Sequence, residues 1–252
     1  MRFAAVRRAG EGAEAFLAAL AGRGGGSGWY DDRIARRLAR LLPQGALVLD
    51  VGANNGAWAV GLARALPGAR FHLFECAPYC FADLERAAAA LGGAPLNRVA
   101  VSDREGEATL HLPAVASGLA SLHPRGDTSV RAHAYQTLAV PAVTLDAYMD
   151  RAGIARVDLL KIDVEGHERA VLAGAEQAFA RGAIGAVLFE FGSSNVNSRT
   201  FFRDFWAFFE QHGFRLLRFA PGGHLIPVPR YDDRLEYFRG PSNYLALRDK
   251  AD

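Results

Sequence analysis

The chain has 252 residues, 50% of them hydrophobic and 22% charged, a balance that excludes disordered and fibrous classes and leaves room for one large α/β domain. A chain of this length buries roughly 70–75% of the surface its unfolded form exposes, so its core needs no disulfide or metal staple. Twenty-nine Lys and Arg against 27 Asp and Glu leave a formal charge of +2, spread among acids along the chain, so nothing calls for a nucleic-acid partner.

The chain opens with early arginines and a short apolar stretch, but Glu11 and Glu14 interrupt it well short of the roughly 18 uncharged residues of a membrane span. Residues 11–22 therefore read as a surface helix rather than a targeting signal, and no membrane span is expected. GRGGGSG breaks the chain before a second helix at 31–42, so residues 1–42 form an N-terminal helical extension and 43–252 the main domain. Beyond Pro43, short apolar runs alternate with amphipathic ones, the pattern of βαβ units. ALVLDV (46–51) predicts a buried strand, followed by a glycine turn and a helix through Leu66. RFHLFE (70–75) predicts a second strand, and Pro78 opens a helix running to Leu91. RVAVSD (98–103) reads as a third strand, REGE as a turn and ATLHL as an edge strand. Residues 114–136 lack a period, which marks a functional or mobile segment. Alternation returns at LAVPAVTL, with Thr144 capping the helix of Leu145 and Tyr148. VDLLKIDV (157–164) is apolar on both faces, as a central parallel strand requires. The helix HERAVLAGAEQAFARG, the strand AIGAVLFEF (183–191), the helix FFRDFWAFFEQHG and two final strands, FRLLRFA and an antiparallel NYLALR, complete the order. The fold class is α/β: a Rossmann-like, mostly parallel seven-stranded sheet with helices on both faces.

The chemistry starts at Asp50-Val-Gly52-Ala-Asn54-Asn-Gly56, between a predicted strand and a predicted helix. Gly52 lets the backbone turn sharply and Gly56 permits close approach at the helix start. Where a dinucleotide fingerprint has its first glycine, this chain has Asp50, which suits a ligand with an ammonium group better than one with a pyrophosphate. S-adenosylmethionine has that ammonium, a sulfonium and no phosphate. Glu75, ending the next strand, has the reach to accept two hydrogen bonds from a ribose diol. Cys76 and Cys80, the only cysteines, are too few for a secreted disulfide scaffold and read as small packing residues in a cytoplasmic protein.

A second cluster, Lys161-Ile-Asp163-Val-Glu165-Gly166-His167-Glu168, ends the predicted strand beside the first. Asp163 is suited to orient an acceptor, bind a metal or share a proton, and His167 to serve as general base. Bland readings stand beside these: Lys161 pairs with a carboxylate, and Glu168 is an acid in a first helical turn. Glu190, ending VLFEF, is expected on the same rim, where two carboxylates and a histidine would suit a divalent ion such as Mg²⁺, though the spacing does not establish one. The aromatic run 201–209 has helical spacing and reads mainly as core, with a dimer face or acceptor wall as the other options.

Taken together, LVLDVGANNGAWA, FHLFECAP, NRVAVSDREGEATLHL, VDLLKIDVEGHERAVLAGAE and VLFEF resemble the FkbM-like methyltransferases over residues 46–191. The resemblance implies an S-adenosylmethionine donor and methylation of a hydroxyl on a sugar, polyketide or other secondary metabolite. By position it places Asp50, Gly52 and Gly56 at the methionine end of the cofactor with Asn54 in the same turn, Glu75 at the ribose, and Ser102 or Asp103 beside the adenine. Asp163, Glu165 and His167 then face the methyl group or acceptor, and the 114–136 loop, with Ser117, Gly118 and Ser121, closes over the cofactor. Transfer to oxygen needs in-line alignment and removal of a proton. Two alternatives share the strand, turn and acid order: an NAD(P)-dependent oxidoreductase, and a non-catalytic nucleoside-binding protein of the same fold. The acceptor's identity and the oligomeric state, monomer or homo-oligomer, stay open at this level.

Overall fold

The computed structural model describes residues 2–24, 31–113, 118–124 and 135–249; Ser117 and most of the GRGGGSG break lie outside the described residues. In chain order the elements are α1 (Arg2–Leu20), α2 (Asp31–Ala39), β1 (Leu47–Val51), α3 (Ala57–Ala65), β2 (Arg70–Phe74), α4 (Phe81–Ala90), β3 (Leu96–Asn97), β4 (Ala100–Val101), β5 (Gly106–Pro113) and β6 (Tyr135–Val143). They continue with α5 (Leu145–Arg151), β7 (Leu159–Ile162), α6 (Glu168–Ala173), α7 (Glu176–Ala180), β8 (Ala186–Phe191), α8 (Ser194–Ser198), α9 (Phe202–Gln211), β9 (Phe214–Ala220), β10 (His224–Val228) and β11 (Ser242–Arg248).

The main sheet has the order β10-β9-β11-β8-β7-β1-β2-β3, eight strands rather than the seven expected. Its half from β3 to β8 is parallel, while β11, β9 and β10 pair antiparallel. The strand missed in the sequence is β10, which holds Pro227; as the outermost strand it tolerates a residue that cannot donate to a ladder. The other correction concerns 98–103. Of that run only Ala100–Val101 is a strand, and it pairs with β6 in a second sheet of order β4-β6-β5, while the preceding Leu96–Asn97 takes the place beside β2 in the main sheet.

Side-chain alternation along the central strands divides the core. Leu49, Val51, Leu160, Ile162, Val187 and Phe189 face one layer, which α5, α6, α7 and α9 cover. Val48, Leu159, Ala186 and Leu188 face the other, which α2, α3 and α4 cover through residues such as Ile34, Leu62 and Leu84. The aromatic run is core where α9 meets the sheet: Phe202, Phe205, Phe208 and Phe209 are buried and Phe189 stacks on Phe205 at 5.1 Å, whereas Phe201 is exposed. Thr144 caps α5 by accepting from the Ala147 N–H at 3.2 Å. The long helix expected after Gly166 is broken into α6 and α7. The carboxylate of Asp146 accepts from the N–H groups of Gln177 and Ala178 at 2.9 and 2.8 Å, giving α7 an N-terminus of its own.

Candidate functional site

At the carboxyl end of β1 the chain must reverse beneath the neighbouring strand ends. Gly52 has φ +77°, and a Cβ there would stand 1.9 Å from the Asp163 carbonyl oxygen, so no side chain fits. Its N–H and that of Ala53 donate to the Phe74 carbonyl at 3.0 and 2.9 Å, locking the turn onto β2. Gly56 serves packing: a Cβ there would meet that of Ala87 on α4 at 2.4 Å.

Asp50 and Lys161 are partners in the β1–β7 ladder, so their side chains leave the same face of the sheet. Asp50 is fully buried, and Lys161 Nζ sits 2.9 Å from its Oδ1, 3.6 Å from Asp163 Oδ2 and 5.5 Å from the centre of the Trp58 ring. Lys161 Nζ also donates to the Gly52 carbonyl at 2.9 Å. Burial works against the Lys161 ammonium, but Asp50 and Asp163 outweigh it and hold Lys161 above its ordinary range. The bland reading of Lys161 as an ion-pair partner therefore describes its contacts, and Asp50 lies behind the turn it was expected to line.

Glu75, one residue past β2, accepts from the Asn54 N–H through Oε2 at 2.9 Å and from the Ala77 N–H through Oε1 at 2.7 Å. Burial pushes its carboxyl upward, opposed by these backbone donors. Asn54 holds φ +49°, a sparsely populated conformation for a non-glycine residue, and its Oδ1 accepts from Cys80 Sγ at 3.2 Å.

These turns open onto a cavity of about 320 Å³ at the carboxyl ends of β1, β2 and β7, where ligands bind in open α/β sheets. Its lining is mixed. Gly52, Asn54, Asp163 and Glu165 come from the turns after β1 and β7, Glu75 with Phe74 and Cys76 from the end of β2, and Val99, Val101, Leu110 and Leu122 are apolar members from the side of β3 and the second sheet. Residues 118–122 lie against it. Ser121 is buried, bridges the backbone of His111 on β5, and donates its hydroxyl to the Glu165 carbonyl at 2.7 Å.

The second turn, after β7, carries His167 and Glu168. Ser102 Oγ donates to Asp103 at 3.0 Å and lies 2.9 Å from His167 Nε2. Since the hydroxyl has one proton to give, His167 Nε2–H donates to it, and Nδ1 accepts from His123 Nε2–H at 3.0 Å. Burial, with His123 beside it, pulls His167 down to about 4, so the ring is neutral near pH 7. Glu168 is wholly buried: Oε1 accepts from the N–H groups of Val164 and Gly166 at 3.2 and 3.0 Å, and Oε2 from Asn195 Nδ2 at 3.0 Å. Asn195 Oδ1 in turn accepts from the Gly192 N–H at 2.9 Å, tying this turn to the end of β8. Burial without a cation pushes Glu168 up to about 7.

Among the expected site residues, Gly52, Asn54, Glu75, Asp163, Glu165, His167, Gly118 and Ser121 share the cavity's lining. Asp50 and Gly56 support it from behind, Ser102 touches it through His167, and Asp103 stands on the outer side of Ser102. Glu190 is paired in register with Asn243 on β11 and is not part of that lining. Asp163, His167 and Glu190 do not converge as metal ligands; no group of three or more His, Cys, Asp or Glu among the described residues is placed to hold an ion. Sequence reasoning missed His123 and Asn195. His123 sits in the stretch without a period, and Asn195 follows a strand at a spacing that any loop residue shares. Glu168 was seen, but only its burial reveals more than a helix-start acid.

The Methyltransferase FkbM domain model matches residues 50–216. Among curated proteins, the 31-O-demethyl-FK506 methyltransferase FkbM of Streptomyces tacrolimicus is 32% identical over 175 residues, 59% of this chain and 66% of that protein. Methyltransferase sdnD of Sordaria araneosa is 30% identical over 162 residues, 54% of this chain and 62% of that protein. The 2-O-methyltransferase NoeI of Sinorhizobium fredii is 27% identical over 164 residues, 59% of this chain and 65% of that protein. The chain thus spans just under two thirds of the length of the relatives it matches. With the domain match covering both turns and the strands between them, the chain belongs to the FkbM family of methyltransferases.

Proposed function

We propose that the protein is an S-adenosylmethionine-dependent O-methyltransferase acting on a hydroxyl of a sugar, polyketide or other secondary metabolite. The observation that carries this reading is the cavity's lining: carboxylates from the turn after β7, Glu75 at the end of β2, and apolar side chains from the side of β3 and the second sheet. A ligand with a cationic amino-acid end, a ribose and a flat base has that same set of chemistries. Two of the relatives, a 31-O-demethyl-FK506 methyltransferase and a 2-O-methyltransferase, favour oxygen over nitrogen or carbon.

Glu75 would hold the ribose, since its carboxylate has about four accepting lone pairs and the backbone N–H groups that hold it do not use them all. Asp163, half-exposed in the turn after β7, would meet the cationic end of the cofactor and the acceptor. Val99, Val101, Leu110 and Leu122 would exclude water from the base, with Ser102 and Asp103 behind His167 at its edge. When bound, the cofactor supplies an electrophilic methyl group. Asp163 and His167 are the titratable groups proposed to serve the acceptor hydroxyl. Asp163 comes first as proton acceptor, because both ring nitrogens of His167 are engaged. Glu190 would act as a positioning group at the end of β8. We place the methyltransferase domain at 43–252 with 1–42 as its helical extension, in a cytoplasmic protein. No helix among the described residues is long and apolar enough to cross a membrane.

Titration calorimetry with S-adenosylmethionine, S-adenosylhomocysteine and NAD, with and without Mg²⁺, tests the donor. Saturable binding of the first two and not NAD is expected; binding of NAD alone, or of none, overturns the reading. Glu75→Ala should weaken cofactor binding by about tenfold or more, the cost of a lost charge-assisted hydrogen bond. Asp163→Asn should slow turnover more than His167→Ala, measured on an acceptor found by screening hydroxylated metabolites; the reverse order would reassign the base.

A further inference from the structure

Away from the cavity, α2 carries a second concentration of chemistry. Arg33, Arg36 and Arg37 on α2 and Arg40 in the turn just past it follow the i, i+3, i+4, i+7 spacing, and all four line one groove. The opposite face, Ile34, Ala35 and Leu38, is buried in the core, which prevents the helix from rolling the arginines elsewhere. With the Gly222–Gly223 turn, His224 and Leu225, the four arginines line a groove of about 470 Å³ that shares no residue with the cavity described above.

Among the described residues nothing neutralises this groove. Among the described residues no carboxylate forms an ion pair with any of the four guanidiniums, although Asp32 lies on the same helix. Arg37 Nε is buried and has no hydrogen-bond partner. Self-repelling guanidiniums with an orphaned donor destabilise a helix unless an anion satisfies them. Arginine forks match phosphate oxygens two at a time, and four of them suit a multiply charged anion better than a single carboxylate. The patch is one compact groove on a chain of net charge +2, which suits a small anion better than a nucleic-acid backbone.

We propose that the α2 groove is a binding site for a phosphate-bearing ligand, most simply a diphosphate. Two sources present that chemistry: a soluble phosphate ester and the headgroup of an anionic lipid. The site is independent of the methyl-transfer reading.

The test is calorimetry of the full chain with inorganic pyrophosphate at physiological ionic strength, where exposed pairs alone are largely screened. Flotation with phosphatidylcholine vesicles, with and without phosphatidic acid, runs in parallel. The expected result is saturable binding to one of these probes that falls by about tenfold or more in the triple variant Arg33→Gln, Arg36→Gln, Arg40→Gln. S-adenosylhomocysteine binding should stay as in wild type. Binding of pyrophosphate assigns a soluble ester; binding of phosphatidic acid vesicles alone assigns a headgroup. All three substituted residues are solvent-facing, and a thermal melt checks the fold; should it be lowered, the pair Arg36→Glu, Arg40→Glu serves in its place. Absence of binding to both probes, or equal binding by wild type and variant, overturns the proposal.

Discussion

Two turns build the cavity, one after β1 and one after β7, and each hides a fully buried carboxylate that is held in a different way. Asp50 under the first turn meets a cation, Lys161, 2.9 Å away. Glu168 under the second meets only dipoles: two backbone N–H groups and the Asn195 amide. The first turn is therefore fixed by charge balance, while the second depends on the protonation of one carboxyl. The two are coupled through Lys161, which reaches both the Gly52 carbonyl and Asp163.

The largest effect should come from breaking the first arrangement. Lys161→Met leaves Asp50 buried and uncompensated, and removing one member of such a pair costs about 3–5 kcal/mol. Equilibrium denaturation with urea reads this directly. The double variant Asp50→Leu, Lys161→Met should recover much of the loss; if it were no more stable than the single variant, the ion pair would not be what holds this turn.

Next in size is the pH dependence written into the second turn. Glu168 has a folded value of about 7 against an ordinary 4.5, so the folded state binds the extra proton between those limits. Stability from this group is present below about 4.5 and is lost as pH rises through 7, by roughly 3 kcal/mol at most on linkage arithmetic. Glu168→Gln should flatten that part of the stability profile. His167, pulled down to about 4 from 6.5, has the opposite sign: its contribution is present above 6.5 and lost as pH falls toward 4. Denaturation series at several pH values, comparing wild type with Glu168→Gln and His167→Gln, separate the two slopes.

How legible these turns were differs for the same physical reason. The β1 turn announces itself through glycines whose positions only glycine can fill, and through an aspartate and a lysine that alternate in register with apolar neighbours. Burial of Asp50 follows from its place in an all-buried strand, yet the sequence expectation put it in the ligand's path, because a run of residues does not say which face the turn presents. At the β7 turn the residue types were visible and their partners were not. Asn195 and His123 reach it from segments distant in sequence, and such contacts leave no periodic trace. The parallel half of the sheet was likewise readable from doubly buried strands, whereas short β3, short β4 and the proline-bearing β10 fall below any period-based reading.

The smallest effect sharpens the second turn further. Ser102 passes one hydrogen bond to Asp103 and receives one from His167, so Ser102→Ala removes the acceptor of the imidazole Nε2–H. The loss of one such bond costs about 1 kcal/mol. It also frees His167 to exchange tautomers, since the hydroxyl no longer dictates which nitrogen carries the proton. Nitrogen chemical shifts of the His167 ring, followed with pH, report that change where a melt alone would not. A single Nε2–H form in wild type and a mixture in Ser102→Ala would show that the chain from Asp103 to His123 sets the ring. Identical spectra would mean that burial alone holds His167 neutral, and the hydrogen-bond chain would then be a consequence of the fold rather than a control on it.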